Sequence, residues 1–451
     1  MHRLPPPTAR VARAVLGALA VLVLVLTLAA PVWATTVERV VSPGGIEAWL
    51  VEAHEIPVLS VSVAFRGGAA TDPAGKEGLA NMVSGLLDEG AGDLDSQAFQ
   101  TRIEDLAIKL GFDAGLDTFG ADMKTLSANT DEAFRLLRLA LTEPRFDDRP
   151  VERIRSQIQV GLARQASSPD YIARRAWFET AFPDHPYGRP TSGTPESVAA
   201  ITVDDLRAFM GRAIARDRMV IGVVGDITPE RLAPLLDATF GALPEKGAAL
   251  DIPHATPRAP GRLIVKEREI PQSIVIFGAE GIRRDDPDYY AAYVMNHILG
   301  GGGFASRLTN EIREKRGLAY GVYSYLSPLD HAELFLGRVA TQNGRVAESL
   351  RLVRAEIARM RDHGATQAEI ADAKTYLTGS FPLRLDTNDK IAGMLVGIQL
   401  EKLGIDYLDK RNGYIEAVTL DDVNRMAARL LKPEDLEIVV VGKPEGIEPT
   451  N

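Results

Sequence analysis

The sequence predicts an α+β protein of two tandem homologous domains, each an antiparallel sheet backed by helices, and three observations predict it. The first is an internal repeat. ITVDDLRAFMGRAIARDRMVIGVVGD, from Ile201, aligns without a gap with VTLDDVNRMAARLLKPEDLEIVVVGK, from Val418. Thr202 pairs with Thr419, Asp204-Asp205 with Asp421-Asp422 and Gly225 with Gly442, all at one offset (419 − 202 = 217). The second observation is Glu55-Ile56-Pro57, which returns as Glu269-Ile270-Pro271 at a similar offset (269 − 55 = 214). Two matches in order at nearly one spacing mark a duplication rather than a shared helix or strand pattern. Third, strand-like and helix-like stretches mix without the strict alternation that a parallel sheet needs.

Taken in order, residues 46–52 and 58–66 alternate as two strands joined by His54-Glu55-Ile56-Pro57. Helical spacing follows over 77–89 and 96–110, then two strand-like runs within 112–127, and helices over 131–141, 150–166 and 170–182. A helix over 203–214 and a strand over 219–224 close the first domain, 35–240. Residues 241–261 hold four prolines and no apolar period, which reads as an exposed linker and a hinge; the second domain occupies 262–451.

The first 34 residues stand apart. Arg3, Arg10 and Arg13 precede an apolar run over 14–30, and Val32-Trp33-Ala34 places small or apolar residues where a signal peptidase cuts. This reads as an export signal, with periplasmic delivery. The run is near the lower length limit of a membrane span, which leaves an uncleaved anchor as the alternative. No later segment is apolar enough to span.

A composition of 45% hydrophobic and 25% charged residues over 451 positions is that of a globular chain with more than one domain. Without the three leader arginines the formal charge falls from −10 to −13, which argues against nucleic acid or an anionic membrane as partner. There is no cysteine, which excludes disulfides, a lipoprotein thioester and a thiolate zinc site.

The most informative stretch is 299–325, LGGGGFASRLTNEIREKRGLAYGVYSY. Phe304, Leu308 and Ile312 recur at helical intervals over 304–314, and Gly317 is placed to end that helix in the left-handed conformation. A strand rich in aromatic and β-branched residues follows. Arg313 then sits in a last helical turn and Tyr320 at a strand start. By spacing alone, such an Arg serves the helix dipole and such a Tyr is half-buried packing.

The segment SRLTNEIREKRGLAYGVYS resembles the second-half signature of the insulinase/pitrilysin (inverzincin, M16) metallopeptidases. The resemblance implies that Arg313 and Tyr320, seven residues apart, reach a bound peptide. It also implies α+β domains facing each other across a closed chamber, with this chain as one clamshell half. The family's zinc chemistry belongs on the first long helix, where His-x-x-Glu-His sets two imidazoles one turn apart on the metal beside a Glu base. In GKEGLANMVSGLLDEGAG the residues Gly78-Leu79-Ala80 match those ahead of that motif. Asn81 then takes the place of the first His, Ser84 that of the Glu and Gly85 that of the second His. None of the three suits the original chemistry. On the later helix that holds the third ligand in the family, Glu152 is the only carboxylate, and its position in the first turn suits the macrodipole. His2, His54, His185, His254, His297, His331 and His363 are all too far apart in sequence for a helical pair to chelate.

Other motifs carry less. Gly300-Gly301-Gly302-Gly303 lacks a following Gly-Lys-Ser/Thr and reads as a flexible turn between helices. His185, in Asp184-His185-Pro186-Tyr187-Gly188, reads as structural, and Asp88-Glu89 as a solvated helix end. The expectation is a zinc-less subunit that binds no metal itself. It closes the chamber and positions peptide substrate for a zinc-bearing insulinase-family paralogue. The alternative is a catalytically inactive peptide-binding or scaffold protein. A self-sufficient metallopeptidase is excluded by Asn81, Ser84 and Gly85.

Overall fold

The computed structural model describes residues 36–258 and 261–450, so the apolar leader lies outside the described residues. The first lobe runs β1 (Glu38–Val41), β2 (Glu47–Glu52), β3 (Val58–Arg66), α1 (Leu79–Ser84), α2 (Ser96–Asp105), β4 (Lys109–Ala114), β5 (Thr118–Leu126) and α3 (Thr130–Thr142). It continues with α4 (Asp148–Gln165), α5 (Pro169–Ala181), α6 (Pro195–Ala200), α7 (Val203–Ala213), β6 (Met219–Gly225) and α8 (Pro229–Phe240). The second lobe runs β7 (Leu263–Glu267), β8 (Gln272–Glu280), α9 (Tyr289–Asn296), β9 (Ala319–Leu329), β10 (Ala332–Gln342) and α10 (Val346–His363). It ends with α11 (Gln367–Gly379), α12 (Asn388–Leu400), α13 (Tyr407–Ala417), α14 (Leu420–Leu430) and β11 (Glu437–Gly442).

The strand orders are β1-β2-β6-β3-β5-β4 and β7-β11-β8-β10-β9. With β1 set aside the two are the same sheet twice, down to direction: β2 runs parallel to β6 and β7 to β11, and the other pairs are antiparallel. The sheets are therefore antiparallel-dominated with one parallel pair each, because the last strand of each lobe returns beside the first.

The repeat read from sequence has a physical basis at each matched residue. Thr202 and Thr419 both cap helices. Each hydroxyl accepts the amide three residues on (3.2 and 3.1 Å), and Asp205 and Asp422 each return a carboxylate to the threonine amide (2.8 and 3.0 Å). Gly225 and Gly442 end their strands at φ +140° and +152°, a conformation that an L side chain resists. Glu55-Ile56-Pro57 and Glu269-Ile270-Pro271 make the equivalent β2–β3 and β7–β8 connections.

Each lobe has its own core on one face of its sheet, around Phe65, Phe119 and Phe209 in the first and Phe277, Phe335 and Met360 in the second. The opposite face is covered by the other lobe. Trp177, on α5 of the first lobe, is fully buried against Ile276, Leu334 and Val439, and its Nε1–H donates to the Glu437 carbonyl at 3.1 Å. Its counterpart α12 buries Ala392, Leu395 and Ile398 on Trp49, Val51 and Val224 of the first sheet. This reciprocal exchange makes the chain one compact unit from Val37 onward. The lobes meet directly, so a chamber between these two lobes, as the resemblance implied, is not formed by this chain. The segment read as a hinge is also pinned: Ala255 N–H bonds the His331 carbonyl (2.8 Å) and Arg258 N–H the Ala181 carbonyl (2.9 Å).

Three helical readings are corrected. The helix over 77–89 ends at Ser84, since Leu86 and Leu87 keep the apolar spacing but are buried from turns. The helix over 96–110 ends at Asp105, where Ala107 at φ +52° turns the chain into β4. The helix over 304–314 is broken. Gly303–Ala305 is a single 3₁₀ turn, Ser306 is extended, and Thr309–Glu314 is wound as a π-helix. Leu308 and Ile312 are fully buried but Phe304 is 68% exposed.

Candidate functional site

The helix read from the sequence as a degenerate metal helix is α1. Its apolar face, Leu79, Ala80, Met82 and Val83, is core. Its amino end is held by buried Asp72, whose carboxylate accepts the amides of Gly78 (2.9 Å) and Ala80 (3.1 Å); burial pushes this carboxyl up to about 7. On the other face Ser84 Oγ donates to the Asn81 carbonyl at 2.9 Å, a local bond within the helix. A Cβ built on Gly85 would stand 3.3 Å from Ile154 Cγ2, so α4 packs close where the second imidazole is expected in the family. Glu152 points to solvent with Arg155 at 3.2 Å. These residues do not fit zinc, and among the described residues no three His, Asp or Glu side chains converge as a metal site.

The second group is built around the start of β9. In the β9–β10 ladder Thr341 pairs with Ala319 and Ala340 with Gly321, which leaves Tyr320 as the extra residue of a β-bulge. Bulges re-aim side chains, and Tyr320 is turned outward at 82% exposure. Upstream, Gly317 adopts φ +60° as expected, and the amides of Gly317 and Leu318 close on the carbonyls of Arg313 (2.8 Å) and Ile312 (2.9 Å). This tight exit lays Arg313 beside Tyr320. The guanidinium lies 5.3 Å from the Tyr320 ring centroid and 4.6 Å from that of Phe304, with Glu314 at 3.4 Å.

The sequence-predicted pair is thus side by side, with Arg313 held by two rings and Tyr320 exposed rather than half-buried. Phe304 is the member that sequence reasoning assigned to a helix core. The signal available was the glycine run just before it. Only the first half of that run is helical: Gly300 and Gly301 belong to a π-helix, His297–Gly301, and Gly300 packs so closely on β9 that a Cβ would collide with Ser324. The neighbouring Arg307 is buried in a bidentate pair with Glu369 (2.6 and 2.7 Å), which ties this turn to α11. No hydrogen bond, ion pair or ring contact joins Arg313 or Tyr320 to Asn81, Ser84 or Gly85 among the described residues.

His185 is structural, as read. Its Nε2–H donates to the Pro253 carbonyl (2.8 Å), its Nδ1 accepts the Tyr187 amide (3.2 Å), and burial lowers its basicity.

Residues 49–195 match a family model described as insulinase (peptidase family M16), and residues 200–377 one described as the peptidase M16 inactive domain. A crystal structure of a peptidase M16 inactive domain from Pseudomonas fluorescens superposes with a TM-score of 0.85 at 30% identity, over 92% of this chain and 100% of that one. The chain belongs to the M16 peptidase family. Among M16 relatives, the Helicobacter pylori non-peptidase homolog YmxG is 28% identical over 393 residues, 86% of this chain and 90% of its own length. An uncharacterized zinc protease of Streptomyces coelicolor is 27% identical over 409 residues, 88% of this chain and 87% of its own. M16 membership accounts for the duplicated lobe.

Proposed function

We propose that this chain is the non-zinc subunit of an exported M16 peptidase, presenting Arg313 and Tyr320 to a peptide held against the zinc of a partner chain. The observation that carries the reading is the pairing of a first-lobe helix unfit for metal with an intact, exposed Arg–Tyr pair in the second lobe. Among the described residues Arg313 meets only two aromatic rings and Glu314, an exposed carboxylate that leaves donors free for a substrate carbonyl. The Tyr320 hydroxyl has no hydrogen-bond partner among the described residues and is free to donate to a developing oxyanion. Because the two lobes are closed on each other, the chamber requires a second chain, and a zinc-bearing M16 paralogue is the natural cover. Export rests on the N-terminal segment; no helix of the described residues is long and apolar enough to cross a membrane.

A second reading, a catalytically inactive peptide-binding or scaffold protein, is favoured by the match to an inactive-domain model and by the non-peptidase relative. Both readings expect the isolated mature chain to hold no stoichiometric zinc and to cleave no peptide. Elemental analysis and a peptide-hydrolysis assay on the purified chain check this. One zinc per chain together with a chelator-sensitive activity would overturn the assignment of α1.

A further inference from the structure

At the seam between the lobes lies a cavity of about 920 Å³ that the reading above does not use. Most charged groups on its wall have a partner: Arg66 with Asp330, Arg283 with Asp285, Asp286 with Arg429, and Glu333 with the His254 ring at 3.0 Å. Three do not. Arg284 enters through a cage of tyrosines, its guanidinium 4.1 Å from the Tyr289 ring centroid, 5.3 Å from Tyr290 and 5.8 Å from Tyr407. Its Nη2 donates to the hydroxyls of Tyr290 and Tyr407 at 3.2 Å each, and no carboxylate pairs with it among the described residues. Glu401, at the end of α12, has neither an ion pair nor a side-chain hydrogen bond, and Lys402 beside it has no ion pair.

Arg284 and Glu401 are half-buried and Lys402 stands exposed at the rim; half-buried charge without a partner is costly, and the cost is removed by whatever supplies the missing counter-charge. The tyrosine cage fixes the Arg284 fork, so little side-chain entropy is lost when a carboxylate docks on it. Both groups line the cavity, and burial raises the Glu401 carboxyl while the positive field of Arg284 opposes that rise. Two unpaired cations and one unpaired anion are complemented by two carboxylates and one ammonium on a small frame.

We propose that this cavity binds an acidic α-amino acid, with its carboxylates on Arg284 and Lys402 and its ammonium on Glu401. The site is independent of Arg313 and Tyr320 and stands or falls without them. Isothermal titration of the full mature chain with L-glutamate, glutarate and L-glutamine tests it. Saturable one-to-one binding of L-glutamate is expected. Glutarate, which lacks the ammonium, and L-glutamine, which lacks the second carboxylate, should each bind about tenfold or more weakly. Arg284→Gln should abolish binding. Glu401→Gln, a change at the cavity wall with no native partner to disturb, should erase the preference for L-glutamate over glutarate, and it carries the test if Arg284→Gln misfolds. Absence of saturable heat up to about 10 mM L-glutamate, or an unchanged preference in Glu401→Gln, overturns the proposal.

Discussion

Tyr320→Phe is expected to lower turnover of the reconstituted two-chain peptidase on the order of a hundredfold or more, the loss typical when one oxyanion donor is removed. The ring stays, and with it the contact to Arg313 at 5.3 Å; only the hydroxyl goes. Because the side chain is 82% exposed, the fold should change by less than about 0.5 kcal/mol. Arg313→Ala should instead act chiefly on KM, since a carbonyl contact made in both ground and transition states contributes uniform binding. A packing role predicts the reverse pattern, lost stability with normal kinetics in whatever remains folded. Melting and kinetics measured on the same assembled samples separate the two. An unaltered rate for Tyr320→Phe in a correctly assembled pair removes this residue from the mechanism.

Trp177→Ala is expected to lower the unfolding free energy by about 3–5 kcal/mol, the range for deleting a large buried aromatic. Two losses combine. The indole fills the space between α5 and the second sheet, with Phe178 and Phe182 edge-on at 5.2 and 6.4 Å, and its removal leaves a cavity at the seam between lobes. The Glu437 carbonyl also loses its donor in a buried setting, next to a Glu437 carboxylate that burial already raises. Trp177→Phe should cost less, since most of the volume is kept. Chemical denaturation reads the shift; a change below about 1 kcal/mol would mean that α5 does not seal the second sheet and that the lobes are not locked by helix exchange.

What the sequence made legible was local. Thr202 and Thr419 with their aspartates, the Glu-Ile-Pro turns, Gly317, and the seven-residue step from Arg313 to Tyr320 are short-range chemical signals, and each lies where its chemistry placed it. What stayed hidden depended on partners distant in sequence. The parallel pairing of β2 with β6 joins strands far apart in the chain. The burial of Trp177 belongs to the other lobe's sheet, and nothing in the sequence around it says so. Helix lengths were overread wherever buried leucines such as Leu86 and Leu87 keep the period in non-helical turns. Phe304 was misplaced because the helical spacing continues through Ser306, where the backbone does not. Arg284, Glu401 and Lys402 carry no motif; only the folded seam brings them to one cavity.

The central claim is the division of labour between this chain and a zinc-bearing one. It is tested most directly by mixing the purified mature chain with the His-x-x-Glu-His paralogue from the same organism and following peptide hydrolysis alongside size-exclusion chromatography. The account predicts a heterodimer at micromolar concentration whose activity exceeds that of either chain alone. A partner that is fully active by itself and does not co-elute with this chain would contradict it and leave the scaffold reading in its place.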